Sequence, residues 1–281
     1  TIIIIEHKLE QLMTLDPVFF TFEHGRLIKG LEPQKSSDKP SLLIDFSDAM
    51  TDPALPLNNP AIQISNATIS IGKQEILHKL NLEIFPGEFI ALMGPNGSGK
   101  TTLLQSIMGF HDISRGVINL LGQSVAREKT SKFVSDLGFV FQNPDHQLFM
   151  SSVWEETILT TKNLQVFNDA KARTAQIWLE QIGLEDRLDD HPQRLSFGEK
   201  RRLNVVASIL HHPKLLLIDE ILIGQDPLNA RLWMACLASF AALGYTVILA
   251  IHHPQLILEF CSREVFFDGG SRSEERRVGK E

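Results

Sequence analysis

Gly94-Pro95-Asn96-Gly97-Ser98-Gly99-Lys100-Thr101, with Thr102 behind it, has the spacing G-x-x-x-x-G-K-[ST]. That spacing suits a phosphate chain. Glycines let consecutive backbone N–H groups turn toward one anion, and a helix N-terminus adds partial positive charge. Lys100 can reach the outer phosphates, and the Thr101 hydroxyl can ligate Mg²⁺. Downstream, Leu215-Leu216-Leu217-Ile218 runs into Asp219-Glu220. Four apolar residues read as a buried strand, and open α/β sheets bind ligands beyond the carboxyl ends of their strands. Asp219 would hold Mg²⁺, through water. Glu220 would polarise an attacking water or accept its proton. Asp-Glu after a strand can instead simply cap the next helix; the phosphate loop favours the chemical reading.

The elements that must position these groups follow from hydrophobic patterning. Strands are expected at Leu80–Phe85, Phe89–Met93, Val117–Leu121, Gly138–Phe141, Leu215–Ile218, Thr246–Ile251 and Val265–Phe267. Helices are expected at Lys100–Met108, Ala170–Gln181, Glu199–Leu210 and Leu228–Leu243. Such alternation predicts an α/β domain with a mostly parallel sheet over residues 61–270. Residues 31–60 carry five prolines and read as a linker. Residues 1–30 read as strand, helix, strand and a turn at His24-Gly25. They repeat a later stretch: Thr1 to His7 resembles Thr246 to His252, and each is followed by an apolar helix and a strand with paired phenylalanines, Phe19-Phe20 and Phe266-Phe267. The first residue is Thr1 rather than Met, and residues 271–281 read as a non-native or disordered tail. The expectation is a gene fragment.

Composition narrows the class. A net charge of -7 gives no sign of a nucleic-acid partner. Cys236 and Cys261 lack metal-ligand spacing and read as reduced core thiols. No apolar run approaches the roughly 20 residues that cross a bilayer, so any membrane partner must supply the spanning helices.

Leu195-Ser196-Phe197-Gly198-Glu199 precedes a helix and resembles the signature of the ATP-binding cassette (ABC) ATPases, a likeness that covers residues 61–270. The resemblance implies a P-loop NTPase cassette: a mostly parallel sheet, an antiparallel β subdomain and a helical signature subdomain. It implies ATP and Mg²⁺, with Gln142 as the Q-loop residue and a metal ligand beside Thr101 and Asp219, Gly224-Gln225-Asp226 as the D-loop, and His252 as the switch histidine. Catalysis would fall to Glu220, His252 and Gln142. Ser196 and Gly198 would bind the γ-phosphate held by the facing cassette. By itself, Leu-Ser-x-Gly-Glu is also an ordinary helix cap. Phe197, Glu199 and Ile221 depart from the family pattern. Ile71 stands where the family places an aromatic against adenine; without a π-face, base binding would weaken.

Phe141-Gln142-Asn143-Pro144-Asp145-His146-Gln147-Leu148-Phe149 resembles the segment after the Q-loop in energy-coupling factor (ECF) ATPases, which power vitamin and metal-ion import. The resemblance implies a second cassette, fused upstream or dimeric, a transmembrane coupling subunit and a substrate-binding membrane subunit, at the cytoplasmic face of the membrane. Residues 1–30 would then be the tail of a preceding cassette, with His7 as its switch histidine. The competitors are a soluble tandem ABC ATPase of translation-factor type, a DNA-repair ATPase and a degenerate cassette. The short proline-rich linker, the absence of a heptad run between Lys100 and Ser196, and the intact Lys100, Asp219, Glu220 and His252 argue against these in turn.

Overall fold

Short, continuously apolar runs bounded by turns are what strands covered on both faces require, and such runs make the central sheet. The computed structural model describes residues 20–23, 26–29, 59–125, 132–225 and 227–278. An antiparallel hairpin of β1 (Phe20–Glu23) and β2 (Arg26–Lys29) comes first. Then follow β3 (Ile62–Ile71), β4 (Gln74–Ile84), β5 (Phe89–Met93), α1 (Lys100–Ile107), β6 (Ile113–Leu120), β7 (Gln123–Ser124) and β8 (Leu137–Val140). The chain continues through α2 (Val153–Asn163), α3 (Asp169–Gln181), α4 (Phe197–Ile209), β9 (Leu215–Asp219), α5 (Pro227–Ala242), β10 (Thr246–Ala250), α6 (Pro254–Phe260), β11 (Arg263–Asp268) and β12 (Ser271–Arg277).

The central sheet has the order β12-β11-β5-β10-β9-β8 and is parallel except for β12. A second, antiparallel sheet has the order β4-β3-β6-β7. Strand periodicity divides the core in two. Ala91, Leu216, Ile218, Val247 and Leu249 face a cluster with the helical side, including Trp178 and Trp233. Their neighbours Ile90, Leu92, Leu215, Leu217 and Ile248 face α1 and the antiparallel sheet. Cys236 and Cys261 are free and buried, and burial pushes the Cys261 thiol up to about 12.

Several elements depart from expectation. β3 was not foreseen, and β4 starts at Gln74 rather than Leu80. Their alternation is broken at Asn66 and Lys79, which have positive φ and sit among register shifts. α2 was hidden by its β-branched and aromatic residues, although Ser152 caps it by accepting from the Glu155 N–H. Residues 271–277 are not disordered: they form the antiparallel edge strand β12, entered through the positive-φ pair Gly269-Gly270. Its mixed charges suit an exposed edge, and Arg263 pairs with both Glu88 (3.2 Å) and Glu275 (3.6 Å).

α4 ends against two adjacent imidazoles. His211 is buried, and its Nε2 donates to the Leu137 carbonyl at 3.1 Å. Burial pushes both His211 and His212 from 6.5 down to about 4, with the Lys171 ammonium adding to the effect. The unfolded chain therefore takes up protons near 6.5 that the fold refuses until about 4. Stability is complete above this window and falls as the pH drops through it. The thermal midpoint should decline between pH 6.5 and about 4, with His211 responsible for a loss on the order of 3 kcal/mol. In His211→Gln, which keeps a donor for Leu137, that decline should be shallower.

Candidate functional site

Four neighbouring strands end together at one edge of the central sheet. The register sets Leu92 of β5 beside Ala250 of β10, Ala250 beside Asp219 of β9, and Ile218 of β9 beside Val140 of β8. Continuing each strand by a residue or two brings Gly94, His252, Glu220 and Gln142 to the same edge. Gln142, Glu220 and His252 line a cleft of about 640 Å³ there, together with the loop that Gly94 begins.

The loop after β5 needs its glycines. A Cβ on Gly94 (φ +137) would lie 2.2 Å from the Phe267 carbonyl oxygen, and one on Gly99 (φ +104) would lie 2.4 Å from Leu77 Cδ2. Gly99 is the N-cap of α1 and makes no side-chain cap, so the first-turn N–H groups remain for a ligand. Asn96, Gly97, Gly99, Lys100, Thr101 and Thr102 line the cleft. Lys100 is 5% exposed and donates from Nζ to the carbonyls of Gly94 (2.8 Å) and Pro95 (3.0 Å). Burial lowers its pKa, while Glu220 and Asp219 push it back up. Behind it, the buried Ser98 Oγ has no partner among the described residues.

Thr101 Oγ1 donates to Asp219 Oδ1 at 3.1 Å. Burial raises the Asp219 pKa, and the Thr101 hydrogen bond opposes the rise. These two hard oxygens fit Mg²⁺, which takes one or two protein ligands and completes its shell with phosphate and water. Gln142 Nε2 donates to Glu220 Oε2 at 2.6 Å, a bond that does not use the amide oxygen with which it would ligate a metal. On the other side, His252 Nε2 lies 3.1 Å from Glu220 Oε1. Glu220 has φ +52, a left-handed conformation that places its carboxylate between these two partners. Its own N–H donates to the Ala250 carbonyl at 3.2 Å.

Other expected residues lie elsewhere. Ile71 is 46% exposed at the end of β3 and does not line the cleft; the apolar residue that does, beside the phosphate loop, is Ile76 of β4. Ile76 was missed because β4 was read too short. Ile223, also in the wall, was not singled out. Ser196 and Gly198 lie outside this cleft, at the start of α4. Ser196 closes a capping box with Glu199, so the helix-cap reading of this motif holds as geometry. Phe197 is half exposed, and its ring lies 4.4 Å from the Arg201 guanidinium. Leu148 and Phe149 separate: the first is 7% exposed in the core, the second 70% exposed. His7 and Asp226 lie outside the described residues.

A profile of the family described as ABC transporter matches residues 77–222. A putative ABC transporter ATP-binding protein of Methanosarcina mazei is 38% identical over 196 residues, which is 70% of this chain and 33% of that protein. A putative HMP/thiamine import ATP-binding protein of Bacillus subtilis is 34% identical over 189 residues, 67% of this chain and 34% of that protein. The chain thus spans about a third of the length of these curated relatives. Among solved structures, cbiO1 of Clostridium perfringens, described as part of the ABC transporter complex cbiONQ, matches with a TM-score of 0.69 at 27% identity, covering 79% of this chain and 90% of its own.

Lys100 is the one ammonium in the cleft wall among the described residues. Lys100→Ala should weaken MgATP binding by roughly 1.5–3 kcal/mol, the worth of a charged hydrogen bond. Titration calorimetry on the variant would read this directly, with the thermal midpoint as a control for folding.

Proposed function

The chain belongs to the ABC transporter family of ATP-binding proteins, and on that premise we propose that it binds and hydrolyses ATP to power a membrane importer of the energy-coupling factor type. The observation that carries the hydrolytic reading is Glu220, held between Gln142 and His252 at the open side of the phosphate loop. Backbone N–H groups of 97–101 and the Lys100 ammonium bind the phosphate chain. Thr101 and Asp219 would hold Mg²⁺, whose chemistry when bound is to neutralise charge on the phosphate oxygens. Glu220 accepts a proton from a water whose oxygen attacks the terminal phosphorus, while the bond from that phosphorus to the oxygen it shares with ADP breaks and inorganic phosphate leaves. Gln142 and His252 fix the carboxylate and can sense the terminal phosphate.

Ser196 and Gly198 do not line the cleft that holds Lys100, which supports their service to a facing cassette. Whether that cassette is fused upstream or is a second copy, two composite sites result. The fused arrangement has a further support. β1 and β2 pair antiparallel with two residues between them in the sequence, as β11 and β12 do after His252. That likeness extends the repeat that starts at Thr1 and Thr246. On this reading, residues 1–30 end a preceding cassette and residues 31–60 link it to the domain at 61–270.

The importer reading draws on the printed names of the thiamine-import relative and the cbiONQ component. No helix among the described residues is long and apolar enough to cross a membrane, so spanning subunits would have to be separate from the described part. Phe149 is the group we assign to their docking, on the cytoplasmic face: it is the most exposed large apolar side chain among the described residues. Glu156 Oε2 presents it by accepting the N–H groups of Phe149 (2.7 Å) and Met150 (2.8 Å). The soluble translation-factor alternative is not favoured, since the relatives are named as transporter proteins.

In the full-length protein, Glu220→Gln should bind MgATP with unchanged affinity and lose turnover by about a hundred- to ten-thousandfold, the range that general bases supply. Wild-type hydrolysis by that variant would sink the assignment. Separately, Phe149→Glu should reduce recovery of the membrane subunits in co-purification, on the order of tenfold, while nucleotide titration gives the wild-type curve. If folding or nucleotide binding fails first, Phe149 is a packing residue.

A further inference from the structure

α4 opens with a carboxylate at the place where it is read to meet a phosphate. Its first turn leaves donors free: among the described residues, the N–H groups of Phe197 and Gly198 make no hydrogen bond. Gly198 keeps the approach open, since a Cβ there would meet only Arg202 Nη1, at 3.7 Å. Glu199 follows at once. Its Oε2 accepts from the Ser196 N–H at 2.7 Å, and its own N–H donates to Ser196 Oγ at 3.4 Å. That closure stabilises the helix start. It also fixes a negative charge within one turn of the free donors. Burial raises the Glu199 carboxyl, but the bonds from Ser196 and Arg187 outweigh it and hold it below the usual carboxylate range. Glu199 is therefore ionised at neutral pH, and an unopposed carboxylate here would repel a phosphate.

Arg187 answers that charge. Its Nη1 donates to Glu199 Oε1 at 3.0 Å, the oxygen that the Ser196 N–H leaves unused. Its Nε donates to Asp190 Oδ2 at 2.7 Å, and Nη2 to the Arg194 carbonyl at 3.4 Å. Three directions are held at once, which a planar fork can do and an ammonium cannot. The turn that carries Arg187 is itself anchored on α2: the Val153 and Trp154 N–H groups donate to the carbonyls of Asp190 and Leu188, both at 3.0 Å. Arg202, the other cation beside Gly198, is committed through Nε to the Ile182 carbonyl at 3.0 Å. The capping box itself does not require Arg187. A glutamine at position 199 would close the same cap with no charge to answer. The arginine is needed because the closing residue is a carboxylate.

We propose that Arg187 is a positioning residue for the phosphate-binding start of α4: it neutralises Glu199, so that the N–H groups of Phe197 and Gly198 keep their attraction for the terminal phosphate of the nucleotide held by the facing cassette. The inference rests on the two-cassette reading above and names the residue that sets the charge at that contact. Arg187 touches no nucleotide; it acts through Glu199. The two charges therefore have opposite consequences when removed. Without Arg187 the carboxylate is unopposed, and affinity for the phosphate falls. Without the Glu199 charge a repelling group is gone, and affinity rises.

The test is a set of three variants, Arg187→Gln, Glu199→Gln and the two combined, in the full-length protein isolated with its membrane partners. Steady-state hydrolysis gives KM and kcat for MgATP, and thermal midpoints identify any variant that fails to fold. Arg187→Gln should raise KM by about tenfold, the effect of one unopposed charge at this range, while kcat at saturation changes little. Glu199→Gln should lower KM by about threefold. The double variant should return to within about twofold of the wild-type KM, and Arg187→Lys, which keeps the charge, should lie between wild type and Arg187→Gln. Wild-type KM in Arg187→Gln overturns the proposal. So does a rise in KM in both single variants, or a double variant as impaired as Arg187→Gln, because a pair that only braces the loop loses by either removal. If Arg187→Gln does not fold, the double variant decides: a folded protein with near-wild-type KM supports the proposal, and an unfolded one overturns it. Glu220→Gln run alongside separates the two readings. If it hydrolyses ATP normally, the proposed function fails; if it is inactive while the Arg187 and Glu199 variants shift KM in the same direction, only this inference fails.

Discussion

The parallel pairing of β5, β10, β9 and β8 is the constraint on which the rest of the molecule depends. These strands are buried on both faces, so each residue commits its side chain to one half of the core or the other. A slip of one residue would exchange the two sets. The same register sets where the strands stop. It brings the phosphate loop, His252, Glu220 and Gln142 to one edge, although 158 positions separate Gly94 from His252 in the chain. The requirement for glycine follows. The loop after β5 lies against the Phe267 carbonyl and the Leu77 side chain; a Cβ on Gly94 would meet the first and one on Gly99 the second.

Burial of charge is the second theme, and each instance is compensated locally. Isolated charges are expensive in a dry interior. The Lys100 ammonium is satisfied by two carbonyls of its own loop, and Asp219 by the Thr101 hydroxyl. Lys200 has Asp145 and Gln193, and Arg201 has two backbone carbonyls. For Asp219, Lys200 and Arg201 desolvation is offset by groups brought from another element, which ties that element in place. The helical half is thereby joined to the sheet through directional bonds as well as through apolar contact.

The central strands and the phosphate loop were legible because their signals are local. Five apolar residues before a glycine-rich loop are enough to locate β5 and the start of α1. β3 and the first half of β4 were not legible, because bulges at Asn66 and Lys79 interrupt the period-two pattern on which a strand is recognised. The tail, read as non-native or disordered, holds a strand for a related reason. Ser271–Arg277 looks too charged to order, yet an edge strand needs only a partner's backbone, and β11 supplies it. Leu148 and Phe149 show the limit of reading by neighbourhood. They are adjacent and similar in polarity, and only the path of the backbone into α2 separates core from surface.

Residue types and spacing alone determined the α/β class, the phosphate-binding loop, the Asp-Glu pair after an apolar strand, and the capping box at Ser196 and Glu199. Each of the three motifs is written within about ten residues, the range over which dihedral preference and side-chain periodicity act, and the class follows from the alternation of such local signals along the chain. Tertiary structure decided the rest. It turned Gln142 toward Glu220, left Ile71 outside the cleft with Ile76 in the wall, and set Lys200, Asn204 and Ser208 against the segment after Gln142. Those outcomes depend on which strands pair and in what register. That choice is made by the burial of the whole core, and no window of sequence contains it.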